Sequence, residues 1–227
     1  MPSEGCFAEK VQVLKNDLYE KPPHLSMEEA ASLPLSGLTA YRALFSQAQL
    51  KKDEKVFISG IGGGVALFAM QFAIANGNEV YVSSSSREKI ERAIALGARA
   101  GFNYNDEDMD KQVLKSAGAM DVIIDSAGGP GFAKLVNISA KGARISIYGG
   151  TRGESTFSPQ RLFWNQASII GTTMGSAQDF ADMLNFVGEH KIRPVVDKVY
   201  PLSEIKEALL RMKEGSQFGK IVIKNIA

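Results

Sequence analysis

Cysteine is almost missing from this chain, with Cys6 its one example. That excludes an internal disulfide and a thiolate metal cluster, and it predicts a reducing, cytoplasmic setting. Histidine is nearly as scarce, and His24, beside two prolines, reads as a surface-loop residue rather than a metal ligand. Neither sign of charge predominates: 26 Lys and Arg stand against 25 Asp and Glu, for a net +1. Such a balance gives no reason to expect nucleic acid or an anionic membrane as partner. Long hydrophobic runs are absent too. The longest, 65–75, contains Gln71 and is too short to span a bilayer, so the expectation is a soluble chain. The first residues lack a basic start followed by an apolar stretch, and no secretory signal is expected. No Gly-x-Ser-x-Gly elbow occurs, which leaves a serine hydrolase without its nucleophile turn.

What the chain does have is glycine in one informative place. Lys55-Val56-Phe57-Ile58-Ser59 is an apolar strand that runs into Gly60-Ile61-Gly62-Gly63-Gly64, and Val65-Ala66 then opens an apolar helix over 65–76. A dinucleotide pyrophosphate requires this order. Glycines let the backbone turn sharply and approach phosphates, and the helix N-terminus offers free N–H groups and the positive end of a dipole. A small residue, here Ala66, lets helix and strand pack closely. The competing reading is a plain tight turn, and the surroundings decide between them.

From 55 to 175 strands and helices alternate with short connections. The predicted strands are 55–59, 79–83, 100–104, 121–126, 143–149 and 168–174, most of them continuous apolar runs suited to burial on both faces. The predicted helices are 65–76, 87–96, 107–117 and 132–139. Ser85 with Glu88 has capping-box spacing, and Gly77, Gly97 and Gly118 stand where left-handed C-terminal glycines belong. Right-handed crossovers between parallel strands make this an α/β fold, a Rossmann-type doubly wound sheet of six parallel strands. The flanks hold a strand-like piece at 7–14, a short helix opened by Ser26 and Glu29, a further strand at 195–200, a helix at 204–213 and a last strand at 219–224. The expected organisation is a fragment of a second domain at 1–36, a dinucleotide-binding domain at 37–193, and a return to the second domain at 194–227.

The end of the second strand selects the cofactor. A site for NAD places an acid there to hold the ribose 2′-OH. Here the chain reads Ser83-Ser84-Ser85-Ser86-Arg87-Glu88-Lys89, with no carboxylate at the strand end and hydroxyls and cations suited to a 2′-phosphate. NADP(H) is the predicted cofactor; the alternative is a solvated serine loop followed by ordinary helix-surface cations. The missing acid also argues against a methyltransferase, which would hold its ribose at the same place.

Taken together, these motifs resemble the medium-chain dehydrogenase/reductase superfamily, in its zinc-independent quinone oxidoreductase and enone reductase branch. The resemblance rests on Gly5-Cys6-Phe7-Ala8-Glu9, Glu29-Ala30-Ala31-Ser32-Leu33-Pro34 with Leu38-Thr39-Ala40-Tyr41, and the loop from Gly60 to Ala66. It continues through Asn103-Tyr104, Asp125-Ser126-Ala127-Gly128-Gly129, Gly149-Gly150 and Phe218-Gly219-Lys220-Ile221-Val222. The resemblance implies that the flanks are fragments of a GroES-like catalytic domain whose greater part is missing. It implies that Thr39 touches the nicotinamide end, and that Gly63, Gly64 and Val65 hold the pyrophosphate. Ser84, Lys89 and Tyr104 would hold the adenosine phosphate, and Ser126 and Gly149 would line the crevice. Thr172, Thr173 and Met174 would run beside the nicotinamide, and Gln217 would return from the C-terminal segment. Ser126 and Gly149 can also be read as strand-end turn residues, and Gln217 as a surface residue. Zinc-dependent relatives carry a cysteine ligand where Leu35 stands, so no metal is expected.

The activity implied is hydride transfer from NADPH to a quinone or an α,β-unsaturated carbonyl. No catalytic residue is named: Tyr41 is the one phenol near the motif, and a tyrosine on a helix over 38–46 is more often core packing. The second reading is a nucleotide-binding module without turnover. Strand 168–174 is expected at a sheet edge, pairing with its copy in a homodimer, unless the loop 151–166 with Phe157, Phe163 and Trp164 folds over it.

Overall fold

A computed structural model describes residues 5–225; residues 1–4 and 226–227, the ends of the segments expected at 1–36 and 194–227, lie outside them. Six parallel strands form one sheet: β1 (Lys55–Ile58), β2 (Glu79–Ser84), β3 (Ala100–Asn103), β4 (Met120–Asp125), β5 (Ser139–Ile147) and β6 (Ser168–Gly171). Their order is β3-β2-β1-β4-β5-β6, the doubly wound arrangement, with the order reversing beside β1. The sheet has a helical layer on each face, which explains the unbroken apolar runs. Val56, Ile58, Val80, Val82, Val122 and Ile124 face one core, while Phe57, Tyr81, Phe102, Ile123 and Ile145 face the other. Alternate residues of one strand thus serve opposite cores.

On the first face lie α2 (Pro34–Tyr41), α3 (Gly64–Ala75) and α8 (Ala177–Glu189), and on the second α5 (Met109–Ser116) and α6 (Phe132–Asn137). Two residues of α8, Met183 and Val187, are fully buried. The helix carries its own start signal, a capping box between Ser176 and Asp179. This helix has no counterpart among the predicted ones, although Phe180, Met183, Leu184 and Val187 have helical spacing. The expected helix 38–46 is instead α2, opened by Pro34, followed by a π-helical stretch Arg42–Gln47. Arg42 and Ser46 both donate to the Asp179 carboxylate there, binding the π-helix to the start of α8.

Other expectations need correction. Residues 7–14 form no strand, and Phe7, Val11, Val13 and Leu14 are exposed. Alternating apolar residues favour a strand only where a neighbour supplies a ladder and a core, and none of the described residues does so here. Strand β6 stops at Gly171; the Thr172 N–H makes one more bond to the Ile147 carbonyl at 2.9 Å, and Met174, at φ 42°, then turns the chain away. Strand β5 begins four residues earlier than expected, because Ser139 pairs with Met120 ahead of a register shift. The cap of α4 (Arg87–Ala95) is Ser86 rather than Ser85; its side chain accepts the Lys89 N–H. The capping box at Ser26 and Glu29 forms as expected before α1 (Met27–Ala31), and Gly77, Gly97 and Gly118 all have positive φ.

At the C-terminal end, β7 (Val196–Pro201) and β8 (Lys220–Lys224) make a separate parallel pair connected through α9 (Ile205–Glu214). Arg211 of α9 grips Asp197 with bonds of 2.6 and 3.0 Å, and the Phe218 N–H donates to the same carboxylate. This fixes the chain at 215–219 against the glycine loop.

Candidate dinucleotide site

Strand β1 delivers the chain into a turn that only glycine makes without strain. Gly60 has φ 68° and Gly62 φ 118°, both in the left-handed half of the map. Between them Ile61 points inward and is buried, anchoring the turn, while its N–H bonds the Ser83 carbonyl of β2 at 2.7 Å. Gly63 then adopts an extended conformation, φ −73° and ψ 151°, and is the N-cap of α3. No side chain caps this helix, so its first N–H groups face the loop without a protein acceptor from the cap.

Each glycine meets a different neighbour. A Cβ at Gly62 would stand 2.8 Å from Lys89 Cδ, and one at Gly64 would stand 2.6 Å from Lys220 Cδ and 3.0 Å from Ser36 Oγ. A Cβ at Gly63 would meet nothing closer than the Gly60 carbonyl oxygen, at 3.8 Å. The loop therefore runs between two lysine side chains, and its one open side is over Gly63.

That side opens into a cleft of about 440 Å³ lined by Gly60 to Gly63, Ser84 to Ser86, Glu88, Lys89, Tyr104 and Gly215 to Gln217. Of the residues read from the sequence, it brings together Gly63, Ser84, Lys89, Tyr104 and Gln217. The Lys89 ammonium donates to the Gly215 carbonyl at 2.6 Å, and the Tyr104 hydroxyl donates to Ser85 Oγ at 3.0 Å. Gly219 N–H bonds the Gly62 carbonyl at 3.0 Å, so the C-terminal segment is attached directly to the loop. A second cavity, about 220 Å³, shares Gly60 and Tyr104 with the first and reaches down to Asp125, Met109 and Phe132.

The remaining residues read from the sequence lie outside both cavities. Gly64 and Val65 form the first turn of α3. Thr39 is buried in α2, and its hydroxyl donates back to the Leu35 carbonyl at 2.8 Å. A Cβ at Gly149 would run into the Ser126 carbonyl, so glycine at 149 lets the ends of β4 and β5 close together. Thr173 and Met174 follow β6. Among the described residues two buried oxygens at these positions have no partner, Thr172 Oγ1 and Gln217 Oε1. Buried polar atoms are nearly always satisfied, and of the two Gln217 lines the first cleft, where a polar ligand would satisfy it; His24 Nδ1, Gln71 Oε1 and Ser146 Oγ are equally unpaired away from that cleft.

Three residues of the site were not singled out from the sequence. Asp125, 2 % exposed at the end of β4, accepts from Ser59 Oγ and from the N–H groups of Ala127 and Gly128 at 3.3 and 2.8 Å. It holds the crevice turn in shape. Lys220, whose pKa burial pushes down, donates to Ser36 Oγ at 3.0 Å behind the loop. Arg152 borders the second cavity. Asp125 and Lys220 had a sequence signal, as members of the Asp-Ser-Ala-Gly-Gly and Phe-Gly-Lys-Ile-Val motifs, and Arg152 had none.

Besides Tyr104, two phenols pack against the first core, Tyr148 and Tyr41. Burial pushes Tyr148 up to about 12. Tyr41, raised by burial and by Asp182 and Asp179, packs among Phe45, Phe72 and Phe186 with ring centroids 4.8 to 6.3 Å away. Its role is core packing. Among the described residues no three His, Cys, Asp or Glu side chains gather to hold a metal, and Leu35, at the ligand position, is apolar and 55 % exposed. These residues do not fit a zinc ion. No helix among them is long and apolar enough to cross a membrane.

The family model described as "Zinc-binding dehydrogenase" matches residues 64–189. A zinc-type alcohol dehydrogenase-like protein, YogA, of Leptosphaeria maculans is 34% identical over 97% of this chain and 64% of its own length. The human quinone oxidoreductase is 28% identical over 96% of this chain and 69% of its own. A crystal structure described as an NAD-dependent alcohol dehydrogenase superposes with a TM-score of 0.90 at 34% identity, over 98% of this chain and 66% of the other. The chain spans about two thirds of the length of such relatives.

Proposed function

The chain belongs to the zinc-binding dehydrogenase family of the medium-chain dehydrogenase/reductase superfamily, and from that premise we propose an oxidoreductase that reduces a quinone or an α,β-unsaturated carbonyl with NADPH, without zinc. The observation that carries the reading is the glycine loop: a strand-to-helix turn open only over Gly63, beside an uncapped helix N-terminus and bordered by Lys89. A pyrophosphate has free N–H groups and a positive dipole end to bind there. When bound, the nicotinamide supplies the hydride. The chain's own residues bind and orient. Ser84, Ser85 and Lys89 hold the ribose phosphate, Gln217 offers its unpartnered amide oxygen from above the loop, and Thr172 offers a hydroxyl beside β6.

One solved relative is described as NAD-dependent, so the cofactor preference rests on this chain's own serines and Lys89. NADPH is expected to bind more tightly than NADH by about 1–3 kcal/mol, the range of hydrogen bonds to charged groups. Lys89→Ala should weaken NADPH roughly tenfold or more and leave NADH nearly unchanged. Calorimetric titrations of both cofactors check this; equal affinities in the wild-type chain overturn the NADPH preference. Turnover with a quinone then separates an enzyme from a binding module.

The same reading includes a homodimer. Strand β6 pairs with β5 on one side only, and its Ile169 and Ile170 carry no charge to discourage a second strand. Of the aromatic residues that could cover it, Phe157 packs inward on Phe132, while Phe163 and Trp164 stay exposed, Trp164 at 74 %. Light scattering should report twice the chain mass, and Ile170→Lys should move it toward one. A wild-type monomer at high concentration rules out the dimer.

A further inference from the structure

We propose that Arg152 is the residue that selects a purine in the second cavity, stacking its guanidinium on the base of the bound nucleotide; the inference rests on the dinucleotide reading above. Arg152 follows β5 in a pinned turn. Its N–H bonds the Ala127 carbonyl at 2.9 Å, and its Cβ lies where Gly129, at φ 72°, leaves room: a Cβ there would stand 2.6 Å away. The backbone is fixed, but the side chain is exposed.

The guanidinium has no carboxylate partner among the described residues. It lies over the face of Tyr104, with the guanidinium carbon 5.4 Å from the ring centroid. That ring is itself tethered, through its hydroxyl, to Ser85. A flat cation is thus held near a flat ring at the mouth of a cavity whose floor is Met109, Phe132 and Leu135. Buried apolar side chains below and a planar cation above suit a heteroaromatic base, because the guanidinium pairs with the face of a π system. The phosphates have a different place. Ser84, Ser86 and Lys89 border the neighbouring cleft, which Arg152 does not reach. Tyr104, common to both cavities, stands between base and phosphate.

The division of labour gives a test with distinct outcomes. Binding of 5′-AMP, nicotinamide mononucleotide, NADH and NADPH is measured by calorimetry for the wild-type chain and for Arg152→Met, which keeps the stem and loses plane and charge. Affinity for 5′-AMP, NADH and NADPH should fall about tenfold alike, with the NADPH-to-NADH ratio and the mononucleotide unchanged. Unchanged 5′-AMP affinity, or a loss confined to NADPH, overturns the proposal, the latter by placing the guanidinium on the 2′-phosphate. Thermal unfolding of the variant checks its fold, and Arg152→Gln carries the same comparison if the methionine variant unfolds. A wild-type chain that binds none of the four removes the dinucleotide reading itself. Wild-type binding with an indifferent variant removes only the assignment of Arg152.

Discussion

Gly63→Val is expected to lose dinucleotide affinity by up to about 100-fold while keeping its fold, the largest effect on binding that one residue of this loop can produce cleanly. The reason lies in what the new side chain meets. Gly63 is already extended, φ −73° and ψ 151°, a conformation that valine prefers. Its nearest protein neighbour would stand 3.8 Å from the Cβ, at ordinary contact distance. The branched side chain would fill the space that the pyrophosphate needs, and overpacking of this kind costs up to about 3 kcal/mol, or two powers of ten in affinity. Gly64→Val is the contrasting control. Its Cβ would strike Lys220 and Ser36, so that variant should lose stability as well as binding. Calorimetry with NADPH and thermal melts of both variants give the comparison; full affinity in Gly63→Val means that the phosphate lies elsewhere.

The largest effect on stability is expected far from the cleft, at Asp179. This carboxylate accepts from Arg42 at 2.6 Å, from the Ser176 N–H and hydroxyl at 2.8 Å each, and from Ser46. Its side chain is 11 % exposed. Burial alone would raise its pKa, but the hydrogen bonds from Ser46, Ser176 and Arg42 outweigh burial and hold it well below the usual carboxylate range. Asp179→Ala removes the acceptor and leaves Arg42 half-buried without its partner, a loss of about 3 kcal/mol, the low end for breaking a buried pair. In a chain of this size that lowers the unfolding midpoint by roughly 6–12 °C. The pH dependence has a definite sign. Because the folded-state pKa is depressed, the stabilisation is complete above the unfolded value, about 3.9, and is lost as pH falls toward the folded one. The difference between wild type and Asp179→Ala should therefore be full at neutral pH and shrink in acid. A gap that persists unchanged below pH 3 would show that the loss comes from packing rather than from the charge.

The sheet was legible in the sequence because each of its strands serves two cores, and a run such as Val56-Phe57-Ile58 has no other economical use. The glycine loop was legible for the same kind of reason: Gly62, at φ 118° and against Lys89, has room for no side chain. The flanks misled where the reading depended on contacts made elsewhere. The alternation in 7–14 looks like a strand, yet strand formation is decided by a neighbour. The cap at Ser86 rather than Ser85 turns on which of four identical hydroxyls meets the Lys89 N–H, and composition carries no such information. Arg152 and Lys220 were not read as site residues because both arrive by topology: one crosses from β5 to the end of β3, and the other comes from β8 to lie behind α3. Ser126 and Gly149 show the intermediate case. Their types were noted, while their close approach needed the sheet order to be known.

The attachment of the final segment to the glycine loop has a consequence for synthesis. Lys89 reaches Gly215 across 126 residues, and Lys220 reaches Ser36 across 184. Closing such spans costs entropy that local contacts cannot recover in advance, so they form late in folding. Residues 215–220 also leave the ribosome only after every strand of the main sheet has emerged. A nascent chain can thus assemble the sheet and still lack the clasp over the loop. On the proposed function, capture of a nucleotide would wait on synthesis through residue 220, and a chain released before that point would be a folded sheet with an incomplete hold on the ligand.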